Sequence, residues 1–275
     1  MIDPYLDGKV ALITGANHGI GAATARALAA QGVKVFITYY RPPADHTQDV
    51  LDAARAAGVG GAQLYEAMQQ QSADAVVARI RGSGGVAAAH EADLSDPTNI
   101  LRLFDLCEAE FGPVDILINN HTHCVMETFD PARVTGEGIL GVRLINSDGI
   151  DAHFAINTRA YALLMEAYVR RHLARRSEWG RIINVSTDAA HAHEINVSYA
   201  ASKHAIESYS RSAAAELGRY GITVNIVAPG PIQTGYLTPA QEEDISEHTP
   251  LGRFGRPEDI ADVIVLLVSE QARWL

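Results

Sequence analysis

Cysteine is scarce: Cys107 and Cys124 are the two in 275 residues. That number excludes a disulfide framework and fits a reducing compartment. Long apolar runs are missing too, and none reaches the roughly 20 residues needed to cross a bilayer. The N-terminus, MIDPYLDGKVALITG, has neither the basic start nor the small-residue cleavage site of a secretory signal. Positive charge is in deficit, with 22 Lys+Arg against 33 Asp+Glu and a formal net charge of -11. Such a chain has no electrostatic footprint for nucleic acid or an anionic membrane. Internal repeats and low-complexity tracts are also absent. These absences predict a cytoplasmic globular protein whose partner is a small molecule. What is plentiful is apolar: 47% of residues are hydrophobic and 20% charged, enough for a sizeable core.

Short runs rich in β-branched residues recur: Val10–Thr14, Val33–Tyr39, Val86–Ala89, Val114–Ile118, Arg181–Val185 and Thr223–Val227. Between them lie helix-like segments such as Ala22–Gln31, Ala73–Arg81 and Ile100–Phe111. Strand–helix alternation predicts an α/β fold, a doubly wound parallel sheet with helices on both faces. We expect residues 1–275 to form one such Rossmann-type domain. Two stretches are long for strand-to-helix connections. Pro42–Gln71 holds two helix-like pieces, Gln48–Ala57 and Ala62–Gln70, split by Gly-Val-Gly-Gly, and Pro131–Asp148 is rich in Gly, Thr and Arg. Both read as insertions, either surface decoration or a lid or partner surface near the ligand.

The first strand runs into TGANHGIG, Thr14–Gly21. Gly15 allows a tight turn, Gly19 close backbone approach, and Gly21 close helix–strand packing. The helix that follows offers free N–H groups and its positive dipole end to a pyrophosphate. The second strand ends Thr38-Tyr39-Tyr40-Arg41 without the Asp or Glu that would read a free ribose 2′-hydroxyl. Arg41 follows at once, and His18 sits inside the turn. A permanently charged guanidinium suits a 2′-phosphate, so NADP(H) is expected over NAD(H).

Tyr199 and Lys203 stand four apart in an alanine-rich helical segment, SYAASKHAIESYSRSAAAELGRYG, and so share a face. A phenol is a poor acid–base at neutral pH; a neighbouring ammonium favours the phenolate and lowers its pKa. The pair suits proton transfer on a hydroxyl or carbonyl oxygen.

Together with the glycine turn, this pair makes the chain resemble the classical short-chain dehydrogenase/reductase family, from about Gly8 to Val268. Further motifs follow in the family's order: Asp93-Leu94, Ile118-Asn119-Asn120, Asn157 in HFAINTRAY, NVST ahead of Tyr199, APGPIQT at Ala228–Thr234, and GRFGRPEDIA. The resemblance implies that Tyr199 gives or takes the proton. Lys203 would lower its pKa and bind the nicotinamide ribose, and Asn157 would anchor a proton-relay water. A hydroxyl at the end of the fifth strand would orient the substrate. It implies cofactor contacts at Gly15, Asn17, His18, Gly19, Ile20, Gly21, Tyr40, Arg41, Asp93, Leu94, Asn120, Pro229, Gly230, Ile232 and Thr234, besides Tyr199 and Lys203. The implied reaction interconverts a ketone and a secondary alcohol by hydride transfer. A 3-oxoacyl or related carbonyl compound is the nearest substrate class. Sugar or polyol dehydrogenation and a non-catalytic NADP-binding regulator are the alternatives. The family's habit of pairing on two long helices, here Asp151–Arg176 and Tyr199–Tyr220, implies a homodimer or homotetramer.

Four departures stand out. Counting back from Tyr199 by the family's usual spacing lands on Ser186, whereas counting along the strand from Asn184 lands on Thr187. Neighbours on a strand face opposite sides, so one of the two reaches substrate; Ser186 is preferred. Where the family has Asn-Asn-Ala-Gly, this chain has Asn119-Asn120-His121-Thr122. The interval from Asn120 to Asn157 is longer than usual. The family's last strand is missing after Val268, which predicts that Thr223–Val227 is an edge. Finally, His121-x-His123 and His191-x-His193 could each chelate from one strand face, but no third ligand with convincing spacing accompanies them. The histidines therefore read as pocket lining, and no metal is expected.

Overall fold

The computed structural model describes residues 3–136 and 140–275. Six of its strands are β1 (Val10–Thr14), β2 (Lys34–Tyr39), β3 (Val86–Glu91), β4 (Ile116–Asn119), β7 (Gly180–Val185) and β8 (Ile222–Val227). They form one parallel sheet in the order β3-β2-β1-β4-β7-β8. The expected doubly wound sheet is therefore present, and β8 lies at its edge as predicted. Two further strands, β5 (Glu127–Thr128) and β6 (Arg143–Leu144), pair separately as a small parallel ribbon.

The helices are α1 (Gly19–Ala29), α2 (Gln48–Ala57), α3 (Ala62–Gln69), α4 (Asp74–Gly82), α5 (Thr98–Phe111), α6 (Ser147–Phe154), α7 (Tyr161–Ala174), α8 (Val197–Leu217), α9 (Pro239–His248) and α10 (Pro257–Val268). Successive strand residues serve opposite faces, and the two cores follow from that alternation. Ala11, Ile13, Val35, Ile37, Ile116 and Ile118 pack with Leu28 of α1, Ile80 of α4 and Ile264 of α10. Val10, Leu12, Phe36, Leu117 and Ile182 face the other way, onto Phe104 of α5, Tyr161 and Leu164 of α7, and Ile206 of α8. Strands buried on both faces are what the nearly unbroken apolar runs predict.

The order reverses between β1 and β4, and ligands of such sheets bind outside the carboxyl ends of the strands at that point. Both long connections leave that end. The Pro42–Gln71 stretch forms α2 and α3. Asn17 Nδ2, in the glycine turn, donates to the Gln69 and Gln71 carbonyls at 3.1 and 2.9 Å. The Gly61 amide donates to the Gly235 carbonyl at 2.9 Å. The insertion thus bridges the glycine turn and the loop after β8. The Pro131–Asp148 stretch carries β6 and the start of α6; its residues 137–139 lie outside the described ones.

Candidate active site

The glycine turn leads directly into α1, whose start no side chain caps. Its first N–H groups are therefore available to an anion. A Cβ on Gly21 would overlap the Gly15 carbonyl oxygen and come within 2.6 Å of Asn120 Nδ2. Gly19 has φ +53, and a Cβ there would lie 2.9 Å from Thr234 Cγ2. The turn thus packs against the β4 end on one side and the loop after β8 on the other. Asn120 Nδ2 ties it down by donating to the Thr14 and Gly15 carbonyls at 3.2 and 2.8 Å. These features fit a dinucleotide pyrophosphate.

The other cofactor candidates surround that turn. Ile20 packs on the core. Asp93 accepts from the Ser95 amide at 2.8 Å, and Leu94 is buried. Across the cleft, the Pro229 carbonyl accepts from the Asp188 amide. Gly230 lies beside the Asp188 carboxylate. Ile232 is buried and bridges to Gly255. Tyr40 is exposed at the end of β2. His18 is not a cation here: burial lowers its pKa to about 4. Its Nδ1 lies 3.2 Å from Asn17 Oδ1, and its ring meets Tyr65 of α3 edge-on. Arg41 is paired with Glu91 of β3, Nη2 to Oε2 at 2.6 Å.

Helix α8 presents Tyr199 and Lys203 one turn apart. Ser202 fixes this segment: its Oγ donates to the Tyr199 carbonyl at 2.7 Å and accepts from Asn157 Nδ2 at 3.0 Å, while its own carbonyl accepts from Thr158 Oγ1 at 2.9 Å. Asn157 lies in a single π-helical turn, Ala155–Ala160, between α6 and α7. Its side chain accepts from the His123 amide at 2.7 Å and Thr122 Oγ1 at 3.2 Å, and donates to the His123 carbonyl at 2.8 Å as well as to Ser202. That uses the full capacity of an amide side chain, two donors and two acceptor sites. The side chain thereby anchors the segment after β4 to α8.

His121 explains the departure from Asn-Asn-Ala-Gly. The ring turns inward. Its Nδ1 is 2.7 Å from Thr14 Oγ1 and its Nε2 3.1 Å from the Ile156 carbonyl of the π turn. A carbonyl can only accept, so Nε2 carries the hydrogen and Nδ1 accepts from the threonine. Burial, then the Lys203 charge, lowers the His121 pKa to about 3, so the imidazole is neutral. His123 faces elsewhere and meets His153 at 4.7 Å between ring centres. The pair therefore does not chelate from one face. His191 packs against His204. Among the described residues, no three His, Cys, Asp or Glu side chains are placed to hold a metal.

Lys203 is 1% exposed, and no carboxylate among the described residues pairs with it. Nζ donates to the Val185 carbonyl at 2.8 Å and to Tyr161 Oη at 3.1 Å. Tyr161 Oη in turn donates to the His121 carbonyl at 2.7 Å. Burial pulls the lysine down to about 7. Burial also pushes the Tyr199 phenol above its ordinary pKa, and the Thr122 hydroxyl is the group that holds it down. Nζ lies 5.9 Å from the Tyr199 ring centre, and its hydrogen bonds go to Tyr161 and Val185.

The two candidate hydroxyls lie in different surroundings. Ser186 is 4% exposed and donates to the buried Glu207 Oε1 at 2.9 Å. Thr187 faces the other way, is half-buried, and accepts from the Ala189 amide at 3.3 Å. The preferred Ser186 is thus committed to a carboxylate, and Thr187 is the hydroxyl on the more open side. Sequence reasoning missed Glu207, Tyr161, Thr122 and Glu91. Tyr161 left a signal one helical turn beyond Asn157, and Thr122 left one in the altered Asn119-Asn120-His121-Thr122 segment.

Residues 51–275 match the family profile described as enoyl-(acyl carrier protein) reductase, and residues 9–61 match the one described as short chain dehydrogenase. The chain belongs to the short-chain dehydrogenase/reductase family. Among curated members, versicolorin reductase of Emericella nidulans is 33% identical, over 98% of this chain and 92% of that protein. A 3-oxoacyl-[acyl-carrier-protein] reductase of Synechocystis is 32% identical, over 97% and 92%. A short-chain dehydrogenase of Burkholderia cenocepacia solved in complex with NADP superposes with a TM-score of 0.76 and 30% identity, covering 98% of this chain and 94% of that one. As a short-chain dehydrogenase/reductase, the protein is an oxidoreductase, and no described helix is long and apolar enough to cross a membrane.

Proposed function

We propose that this protein is an NADP(H)-dependent oxidoreductase that interconverts a ketone and a secondary alcohol, with a 3-oxoacyl or related carbonyl compound as substrate. One juxtaposition carries the reading: Tyr199 and Lys203 lie one turn apart on α8, and Lys203 is linked through Tyr161 to His121, whose backbone abuts Gly15 of the glycine turn ahead of the uncapped start of α1. The turn residues Gly15–Gly21, with Asn120 and the Pro229–Thr234 loop, would hold the dinucleotide. Arg41, the lack of an acid at the end of β2, and a structural neighbour solved with NADP support the phosphorylated form. When bound, that group exchanges a hydride with the substrate carbon.

The chain's own residues handle the proton and the orientation. Tyr199 Oη donates to the carbonyl oxygen in the reductive direction. Thr122, exposed beside it, links that oxygen to solvent for reprotonation. Thr187 Oγ1 orients the carbonyl, a role supported by the commitment of Ser186 to Glu207. Lys203 contributes a charge that forms and discharges near neutrality. Asn157 and Ser202 hold these groups in register. The whole chain acts as one Rossmann-type domain. Apolar residues exposed on α6, α7 and α8, among them Ile150, Leu173 and Tyr209, favour a homo-oligomer packed through these helices.

Loss of NADPH absorbance across a panel of ketones, with the reverse reaction on alcohols and polyols, tests the reading. Turnover is expected on a ketone, and Tyr199→Phe should lower it by roughly 10²–10⁴-fold. Tight cofactor binding with no turnover on any compound would overturn it in favour of a binding-only regulator.

A further inference from the structure

Arg41 is expected to read a 2′-phosphate, yet its guanidinium already has a partner. β2 and β3 pair with Tyr39 opposite Glu91, so the β3 carboxylate stands beside the point where the chain leaves β2. Arg41 Nε donates to Glu91 Oε1 and Oε2 at 3.1 Å each, Nη2 donates to Oε2 at 2.6 Å, and the Arg41 amide donates to Oε1 at 3.2 Å. The side chains are 43% and 32% exposed. The pair therefore faces solvent at the mouth of the cleft and does not brace the core. A guanidinium has five N–H donors in a fixed fork, and Glu91 takes the edge that includes Nε. A phosphate reaching Arg41 must displace this carboxylate or settle on the remaining edge with a like charge close by. His18, uncharged at neutral pH, offers no second cation to offset that repulsion. A ribose hydroxyl meets no such penalty, because a carboxylate accepts its hydrogen bond.

We propose that Glu91 is a cofactor-discriminating residue: held against Arg41 from the neighbouring strand, it competes with the 2′-phosphate and narrows the preference for NADP(H) over NAD(H). This deepens the cofactor reading above and rests on it. The β2 end carries no acid of its own, so the acid of this subsite comes from β3, out of reach of any inspection of β2 alone.

Fluorescence titration of NADPH and NADH into the wild type, Glu91→Gln and Arg41→Gln tests it, with thermal midpoints as a folding check. Gln keeps the size of Glu91 and can still accept from the Arg41 amide, but it carries no charge. Glu91→Gln is expected to tighten NADPH roughly tenfold, equivalent to about 1.4 kcal/mol, and to leave NADH unchanged or weaker. Arg41→Gln is expected to weaken NADPH and spare NADH. If Glu91→Gln weakens NADPH, Glu91 aims Arg41 at the phosphate and the proposal is wrong. Equal shifts for both cofactors would also overturn it, by making Glu91 a support of the strand ends. A wild type that binds neither dinucleotide overturns the cofactor reading itself, an outcome distinct from both.

Discussion

Replacing Lys203 by Met should make the protein more stable near neutral pH while abolishing turnover. The lysine is buried with no counter-ion among the described residues, and its pKa falls from the ordinary 10.5 to about 7. The unfolded chain therefore holds this proton more tightly than the folded one. Folding is opposed in full below about pH 7, and the opposition fades as pH rises to about 10.5, so stability climbs across that window. At roughly 1.4 kcal/mol per pH unit, the drop sets on the order of 4 kcal/mol against folding at pH 7. Methionine fills a similar volume without charge. It strands little, because Tyr161 Oη still donates to the His121 carbonyl and lies 3.3 Å from the Val185 carbonyl. Urea midpoints of the two proteins at pH 6.5, 8 and 9.5 measure the difference. It should favour the methionine variant by several kcal/mol at pH 6.5 and shrink steadily toward pH 9.5. A variant that is less stable at pH 6.5, or a difference that does not move with pH, would refute the reasoning.

Two further substitutions probe neighbouring parts of the site. Thr187→Val should lower kcat at least tenfold with little change in stability. Ser186→Ala should keep kcat and lose about 1–2 kcal/mol through its bond to Glu207; steady-state kinetics and urea melts separate the two, and the reverse pattern restores Ser186 as the orienting hydroxyl. Asn157→Ala removes four protein hydrogen bonds, so it should cost at least ~2 kcal/mol of stability and lower kcat by loosening Thr122 and Ser202. A kcat loss with unchanged stability would indicate a catalytic water there instead.

The parts of the fold that local pattern controls were legible. Apolar β-branched runs bounded by glycine marked the strands, and the Gly-Val-Gly-Gly break split the insertion into Gln48–Ala57 and Ala62–Gln69, within a residue of the expected limits. Val86–Glu91 ran two residues past its expected end because pairing with β2, which propensity does not report, extends it through His90 and Glu91. In the site, the Tyr199–Lys203 spacing was visible because it lies within one helix. Partners brought together by the sheet were not: Ser186 meets Glu207 across 21 residues, and Arg41 meets Glu91 across 50. Strand alternation left two candidate hydroxyls, and only the position of Glu207 distinguishes them. The direction of His121 depended on the carbonyl at Ile156, which the π turn presents to it.

Asn17 belongs to the turn expected to receive the pyrophosphate, yet its amide grips the two carbonyls that close α3. A shift of that turn by a fraction of an ångström therefore pulls directly on the insertion. Linkage runs both ways: a binder on the outer face of α3 that changes dinucleotide affinity by some factor has its own affinity changed by that same factor. Trimming the insertion would therefore remove both bonds that hold the Asn17 side chain in the glycine turn.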